Sequence, residues 1–191
     1  MDGAKLRRAL MLLATILVPL GFTAPVDAQS EIPFVVTGVG TIYDPLPPSP
    51  QDPFLEFDAI GTATGLGVYQ TTRSTLEVLF DEAVPGEDAI PFENADDPPI
   101  ILFQSDKGTQ AFHYDATSPG LGVTLFQVGE DRYLAFFLAE FTPVPEASTK
   151  RFKRIRGGSF LMSAWTEVFS PGDTEVQYTW TGEGPLVVGG N

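Results

Sequence analysis

Short segments in which apolar and polar residues alternate recur along the chain, and clusters of glycine and proline separate them. In one of them Leu76, Val78 and Phe80 alternate with polar neighbours, which is typical of a β-strand with one buried face. Segments of this kind or of strand-like composition are 32–43, 54–70, 71–80, 100–103, 110–114, 123–128, 133–141, 159–169 and 174–181. Beyond residue 28 no amphipathic helix is evident, so the pattern predicts an all-β fold of about 8–10 strands.

The segment 133–141 is apolar at both of its alternating sets of positions. Leu134 and Phe136 would lie on one face of the strand, and Ala135 and Phe137 on the other. Such a strand needs cover on both sides, which a barrel wall packed against another subunit or its own loops would provide. The strand number fits a single antiparallel β-barrel or a sandwich, and the pattern does not separate the two.

Three segments carry no strand pattern. Residues 44–53 are dense in proline, which cannot continue the hydrogen bonding of a sheet interior. Residues 81–99 are acidic and without periodicity. We therefore expect irregular loops near 44–53 and 81–99, and a tail at 182–191.

The first 28 residues have the order of a secretory signal peptide. Lys5, Arg7 and Arg8 precede an apolar run over 9–22, and the small residues of 26–28 form a cleavage site before Gln29. The run is too short to span a bilayer as an ordinary helix. We expect a signal peptide at 1–28 and one domain at 29–191 that is secreted or periplasmic, and not an integral membrane protein after cleavage.

Charge and cysteine content narrow the classes of function. The net charge is −14, and cleavage would leave eight basic against 23 acidic residues, or −15. Nucleic acid and anionic membranes should repel such a domain. The absence of cysteine excludes disulfides and thiol chemistry, and among exported proteins it favours a bacterial one. With one histidine, a transition-metal site lacks ligands, so we expect neither metal nor cofactor; a calcium ion between Glu87-Asp88 and Asp96-Asp97 is the alternative for the acidic loop.

One cluster of positive charge stands out in the acidic domain: Lys150, Arg151, Lys153, Arg154 and Arg156. One interpretation is a contact patch for an anion, a polyanion or the acidic loop of another copy. The other is a solvated strand edge whose charges prevent edge-to-edge pairing.

Few residues are candidates for chemistry or ligand contact. Trp165 and Tyr69 would stack on a ligand or belong to the core. Glu77, Glu140 and Glu167 would supply the polar base of an enzyme cavity if burial perturbed their pKa values. His113 with Asp115 and Ser118 does not by itself define a catalytic triad, so no catalytic residue is assigned.

Two segments carry a family resemblance, Gly61-Thr62-Ala63-Thr64-Gly65-Leu66-Gly67-Val68-Tyr69 and the segment 151–160, RFKRIRGGSF. They resemble segments of exported bacterial proteins with an allene oxide cyclase/dirigent-like β-barrel. The resemblance implies a barrel, and a trimer as the oligomer. In such proteins a histidine often follows the Gly-Thr-Ala-Thr stretch, whereas this chain has Gly65, so any role of that histidine is absent.

These observations predict a non-enzymatic exported β-barrel that binds a small apolar ligand or a protein partner. A barrel enzyme of cyclase or isomerase type and a surface-assembly protein are the alternatives.

Overall fold

The computed structural model describes residues 29–45 and 49–189, and within them the fold is all β, as predicted, with antiparallel strands and no α-helix. The strands are β1 Ser30–Tyr43, β2 Phe54–Ala63, β3 Gly67–Thr71, β4 Ser74–Val78, β5 Phe92–Asn94, β6 Ile101–Ser105, β7 Gly108–Asp115, β8 Gly122–Gly129, β9 Arg132–Pro143, β10 Ile155–Gly158, β11 Phe160–Thr166 and β12 Glu175–Val188. Short 3-10 turns lie at Phe80–Glu82, Pro145–Ala147 and Lys150–Arg154. The predicted signal peptide lies outside the described residues.

The predicted strand number was too low, since the described residues contain twelve strands. The segment 54–70 divides into two strands at a turn where Gly65 has φ +81°. β5 lies inside the acidic region that we expected to be irregular. The predicted tail from residue 182 was also wrong, because β12 continues to Val188. No helix of the described part of the chain is long and apolar enough to cross a membrane.

The strands pair in the order β3-β6-β7-β5-β4-β2-β1-β12-β11-β9-β8, with β10 on β12 and further pairings of β3 with β2 and of β7 with β9. The longest pairing joins β1 to β12 over 14 residues, from Ser30 opposite Val188 to Tyr43 opposite Glu175. The register defines two ends of the sheet. At the Ile42 end, Ile42 lies opposite Phe57 and Val176. At the Phe34 end, β1 and β10 both lie against the last residues of β12.

Aromatic rings fill the interior towards the Phe34 end. Phe34, Phe103 and Phe112 have no exposed surface. The Phe34 and Phe160 ring centroids are 5.0 Å apart, as are those of Phe103 and Phe112, while Phe141 lies 4.9 Å from Phe160. These separations are those of favourable aromatic pairs, so the rings form one packed cluster.

Two glycines of β1 make room for large rings of the neighbouring strand. Gly38 lies opposite Trp180, and Gly40 opposite Tyr178. A Cβ atom at Gly38 would lie 2.4 Å from Trp180 Nε1, and one at Gly40 would lie 2.4 Å from Tyr178 Cε1. Neither contact is sterically possible, so the rings of Trp180 and Tyr178 can occupy these positions only because the residues opposite them are glycines.

Candidate ligand cavity

Two small cavities lie in the interior towards the Ile42 end. Their volumes are about 40 Å³ and about 50 Å³, and Ile42, Leu55 and Phe137 border both. The first is also lined by Ala59, Ala164, Met162, Leu76, Tyr114 and Tyr178. The second is also lined by Ala135, Val176, Thr166, Phe80 and Ile90. The two spaces are neighbours, with shared side chains between them.

Alanines explain why space remains here. Ala59, Ala135 and Ala164 occupy inward positions of β2, β9 and β11 and are nearly fully buried. The corresponding inward positions nearer the Phe34 end on β9 and β11 hold Phe141 and Phe160. On β9 the inward ring next to Ala135 is Phe137, which borders both cavities, and the space that further rings would fill at Ala135 and Ala164 stays empty.

A segment of the acidic region covers the second cavity, and we call residues 79–91 the covering segment. Leu79 N–H donates to the Pro91 carbonyl at 2.8 Å, and Ile90 and Val123 exchange backbone hydrogen bonds of 2.9 and 2.8 Å. Phe80 and Ile90 are half-buried against the cavity, whereas residues 81–88 are all exposed. The covering segment is thus held at its base, while its tip lies in solvent.

A hydrogen-bonded polar cluster, Ser74, Asn94, Asp96 and Tyr114, lies beside the first cavity. Ser74 Oγ donates to Asp96 Oδ2 at 2.5 Å and lies 3.1 Å from the Tyr114 hydroxyl. That hydroxyl donates to the Thr75 carbonyl at 2.9 Å. Asp96 N–H donates to Asn94 Oδ1 at 2.8 Å. Because Tyr114 also lines the cavity, the cluster lies directly behind a wall whose exposed surface is apolar.

One donor of the polar cluster has no partner among the described residues. Asn94 is 5% exposed, and its Nδ2 makes no hydrogen bond there. Asn94 lies two residues from Phe92, on the same face of β5, and Phe92 lines the first cavity. An unpaired buried donor is unfavourable, and among the described residues the Asn94 amide shares this state with the side-chain amide of Gln110 and the indole N–H of Trp180.

The tyrosines of the cavity are neutral hydrogen-bond donors. Burial raises the pKa of Tyr114 and raises that of Tyr178 well above the ordinary value. The Tyr178 hydroxyl donates to the Asp58 carbonyl at 2.9 Å. Both phenols therefore keep their protons at neutral pH, and neither is suited to act as a general base.

The candidates for ligand contact occupy different parts of the molecule. Tyr69 lies inside, stacked 4.8 Å from Phe103 at an interplanar angle of 12°, and does not border either interior cavity. Trp165 lies on the outer wall, 46% exposed, with its ring centroid 4.3 Å from that of Phe136. The structure does not bring these two side chains together.

The three candidate carboxylates do not line the interior cavities. Glu77 alternates with inward Leu76 and Val78, and Glu140 lies between the buried Ala139 and Phe141. Glu167 is exposed. The polar atoms beside the cavity come instead from the polar cluster, whose members pair across β4, β5 and β7.

The basic residues lie at the Phe34 end. All five are exposed and belong to the 3-10 turn Lys150–Arg154 and to β10, so only Arg156 lies within a strand. His113 approaches the Pro99 carbonyl at 3.0 Å through Nδ1, and its Nε2 lies 3.7 Å from Asp115 Oδ2. Within the described residues, no three His, Asp or Glu side chains are placed to hold a metal ion.

Sequence reasoning missed the polar cluster, although part of its signal is visible. Ser74 lies on the inward face of β4 with Leu76, and Asn94 on the inward face of β5 with Phe92, where apolar residues are usual. No family model, curated protein or solved structure matches this chain.

Proposed function

We propose that the chain is an exported, non-enzymatic β-barrel protein, secreted or periplasmic in a bacterium, that binds one small apolar ligand at the Ile42 end. The observation that carries the proposal is the pair of adjoining apolar cavities, the second of which lies under the covering segment. Ligand sites are typically concave and apolar with few polar groups. The predicted signal peptide supports the location.

The strand pairings support a barrel over a sandwich. Antiparallel partners can be followed from β1 through β2, β4, β5, β7, β9, β11 and β12 and back to β1. A sandwich leaves the edges of its sheets unpaired, whereas a barrel returns to its first strand. The resemblance to allene oxide cyclase/dirigent-like proteins agrees with this proposal.

The cavity walls define the ligand. Thr71, Tyr114, Tyr178 and Trp180 line the first cavity and each carries a polar group, but the surface that they and the hydrocarbon side chains present to it is apolar. Its volume is well below the roughly 150 Å³ of a cavity that takes up benzene. The second cavity, at about 50 Å³, is similarly small, so a ligand of that size requires Phe80 and Ile90, which line this second cavity, to move outward.

Two variants test the site. Ala135→Leu fills the second cavity, whereas Trp165→Ala removes an exposed ring from the outer wall. Native mass spectrometry of protein from its own host should detect a bound apolar molecule, and adding that molecule should raise the Tm. We expect Ala135→Leu to abolish the shift in Tm and Trp165→Ala to keep it. A shift in Tm that Ala135→Leu keeps and Trp165→Ala loses would contradict the proposal. So would protein purified from its own host without any bound ligand.

The polar cluster supports one alternative, a barrel enzyme of cyclase or isomerase type. In such an enzyme the Tyr114 hydroxyl would leave the Thr75 carbonyl and donate its hydrogen bond to a developing negative charge, while the walls impose the substrate's shape. Turnover of the host ligand, lost in Tyr114→Phe with binding retained, would establish it. Binding without turnover supports the non-enzymatic function.

The outer wall supports a surface-assembly role as the other alternative. Phe126 and Trp165 are 41% and 46% exposed, and their ring centroids lie 5.9 Å apart. Exposed clusters of this kind often mark protein contacts, and the family resemblance implies a trimer. Sedimentation should give a trimer that Trp165→Ser dissociates. A monomeric wild type removes this alternative.

A further inference from the structure

The two ends of the molecule carry opposite charge. Tyr43 lies opposite Glu175 at the Ile42 end, and Asp44 N–H donates to the Thr174 carbonyl there at 2.8 Å. The exposed carboxylates of this end and of the covering segment are Asp44, Asp52, Asp81, Glu82, Glu87, Asp88, Asp173 and Glu175. The Ile42 end is therefore strongly negative.

The Phe34 end holds most of the positive charge. β10 pairs with the last residues of β12, and Gly189 N–H donates to the Arg154 carbonyl at 2.8 Å, which fixes the basic turn at this end. The exposed cations here are Lys107, Lys150, Arg151, Lys153, Arg154 and Arg156. They outnumber the exposed acidic residues of this part of the fold, Glu31, Asp106, Glu146 and Glu183. The local charge therefore opposes that of the whole chain.

The positive charges are not neutralised within the described residues. The ion pairs found there are Arg73–Glu56 and His113–Asp115. Arg151 instead donates to the Gly65 carbonyl, and Lys150 Nζ to the Asp106 carbonyl at 3.3 Å. Carbonyl contacts orient a cation without removing its charge, so this end presents ordered charge to a partner.

Distance lets each end act separately. β1 has 14 residues, which at about 3.3 Å each span roughly 46 Å. The Debye length near physiological salt is about 8–10 Å. A partner at the Phe34 end therefore experiences the local positive field and little of the distant negative charge.

We propose that the positive Phe34 end binds the negative Ile42 end of a second copy, so that molecules associate head to tail. Each end also exposes a valine among its charges, with Val68 74% exposed near Lys107 and Val84 50% exposed in the covering segment. A second copy supplies complementary charge together with a matching apolar contact. A contact between different surfaces does not close by itself and generates chains of molecules. The inference does not depend on the ligand proposal.

Charge reversal tests this association. The double variant Lys153→Glu/Arg154→Glu makes the Phe34 end acidic, so that both ends are then acidic. The double variant Glu87→Lys/Asp88→Lys reduces the negative charge of the Ile42 end. None of these side chains lines the interior cavities. In sedimentation, wild type should form concentration-dependent oligomers whose association constant falls on the order of tenfold from low to high salt. Each variant alone should associate more weakly, and an equimolar mixture should recover association.

Three results overturn the proposal. The first is a wild type that does not associate at low salt. The second is variants that associate as wild type does, which places the contact elsewhere. The third is wild type that stays monomeric but binds anionic phospholipid vesicles through Lys153 and Arg154, which identifies a membrane surface as the partner. The Tm and circular dichroism of both variants serve as controls for folding.

Discussion

The two halves of the interior differ in packing: one is filled with side chains and the other keeps empty space, although the same sheet surrounds both. Towards the Phe34 end, rings pack at 4.9–5.2 Å. Towards the Ile42 end, alanines leave two cavities. Interior packing is normally dense, and the filled half supplies much of the apolar burial. In the proposed function the open half would offer space for a ligand at the cost of contacts, so that stability and binding would be divided between the two ends.

The strongest test of this division is Phe112→Ala. Phe112 is fully buried and lies within 6.3 Å of the rings of Phe34, Phe103, Phe141 and Phe160. We expect a loss of about 3–5 kcal/mol in the free energy of unfolding, measured by urea denaturation. Phe126→Ala, on the outer wall, is the control and should cost about 1 kcal/mol or less. Equal losses would mean that the ring cluster is not the main source of stability.

Alkaline pH probes both halves at once. Burial raises the pKa of Tyr69, Tyr114 and Tyr178 above 10.0 in the folded protein. Above that pH the unfolded chain releases these phenolic protons and the folded chain retains them, so the unfolded state binds fewer protons and stability falls as pH rises. Each phenol should contribute about 1.4 kcal/mol of loss one pH unit above its unfolded value.

Phenolate absorbance during the alkaline titration distinguishes the halves. If the open half excludes solvent as well as the filled half does, Tyr178 and Tyr69 ionise together, on unfolding. Ionisation of Tyr178 before unfolding, absent in Tyr178→Phe, would show that water enters the open half while the filled half remains intact.

The smallest expected effect comes from a matched pair of substitutions on β9. Ala135 lines the second cavity, whereas Ala139 is fully buried and does not line either cavity. Ala139→Val should destabilise by about 1–3 kcal/mol through overpacking, while Ala135→Val should change stability by less than about 1 kcal/mol because space receives the added methyl groups. Equal changes in the denaturation midpoint would contradict the difference in packing.

β9 shows what the sequence makes predictable. Its two apolar faces predicted cover on both sides, and the structure buries Ala135 and Phe137 inside while Leu134 and Phe136 are half-buried on the outer face. β12 shows how glycines in a sequence can mislead the prediction of a strand's end. Gly182 and its neighbours suggested a tail, yet a Cβ at Gly182 would lie 2.7 Å from the Phe160 ring. Whether a glycine ends a strand or makes room for a ring depends on the partner strand.

The cavities and the polar cluster could not be predicted, because distant pairings create them. Ser74 meets Tyr114 across 40 residues of chain and Asp96 across 22. β5 has three residues between irregular segments, too few for a pattern to emerge. Composition alone indicated neither which acidic residues lie at the Ile42 end nor that the cations gather opposite them.

The pairing of β1 with β12 has a consequence for the order of folding. The first strand of the domain finds its longest partner in the last one, with Ser30 opposite Val188. Non-local pairing of this kind slows folding. Under the export that we propose, with the amino end crossing the membrane first, β1 would wait for its partner until β12 has emerged. The topology would thereby delay the native state until translocation is complete. Until then the chain would stay unfolded and able to cross the membrane.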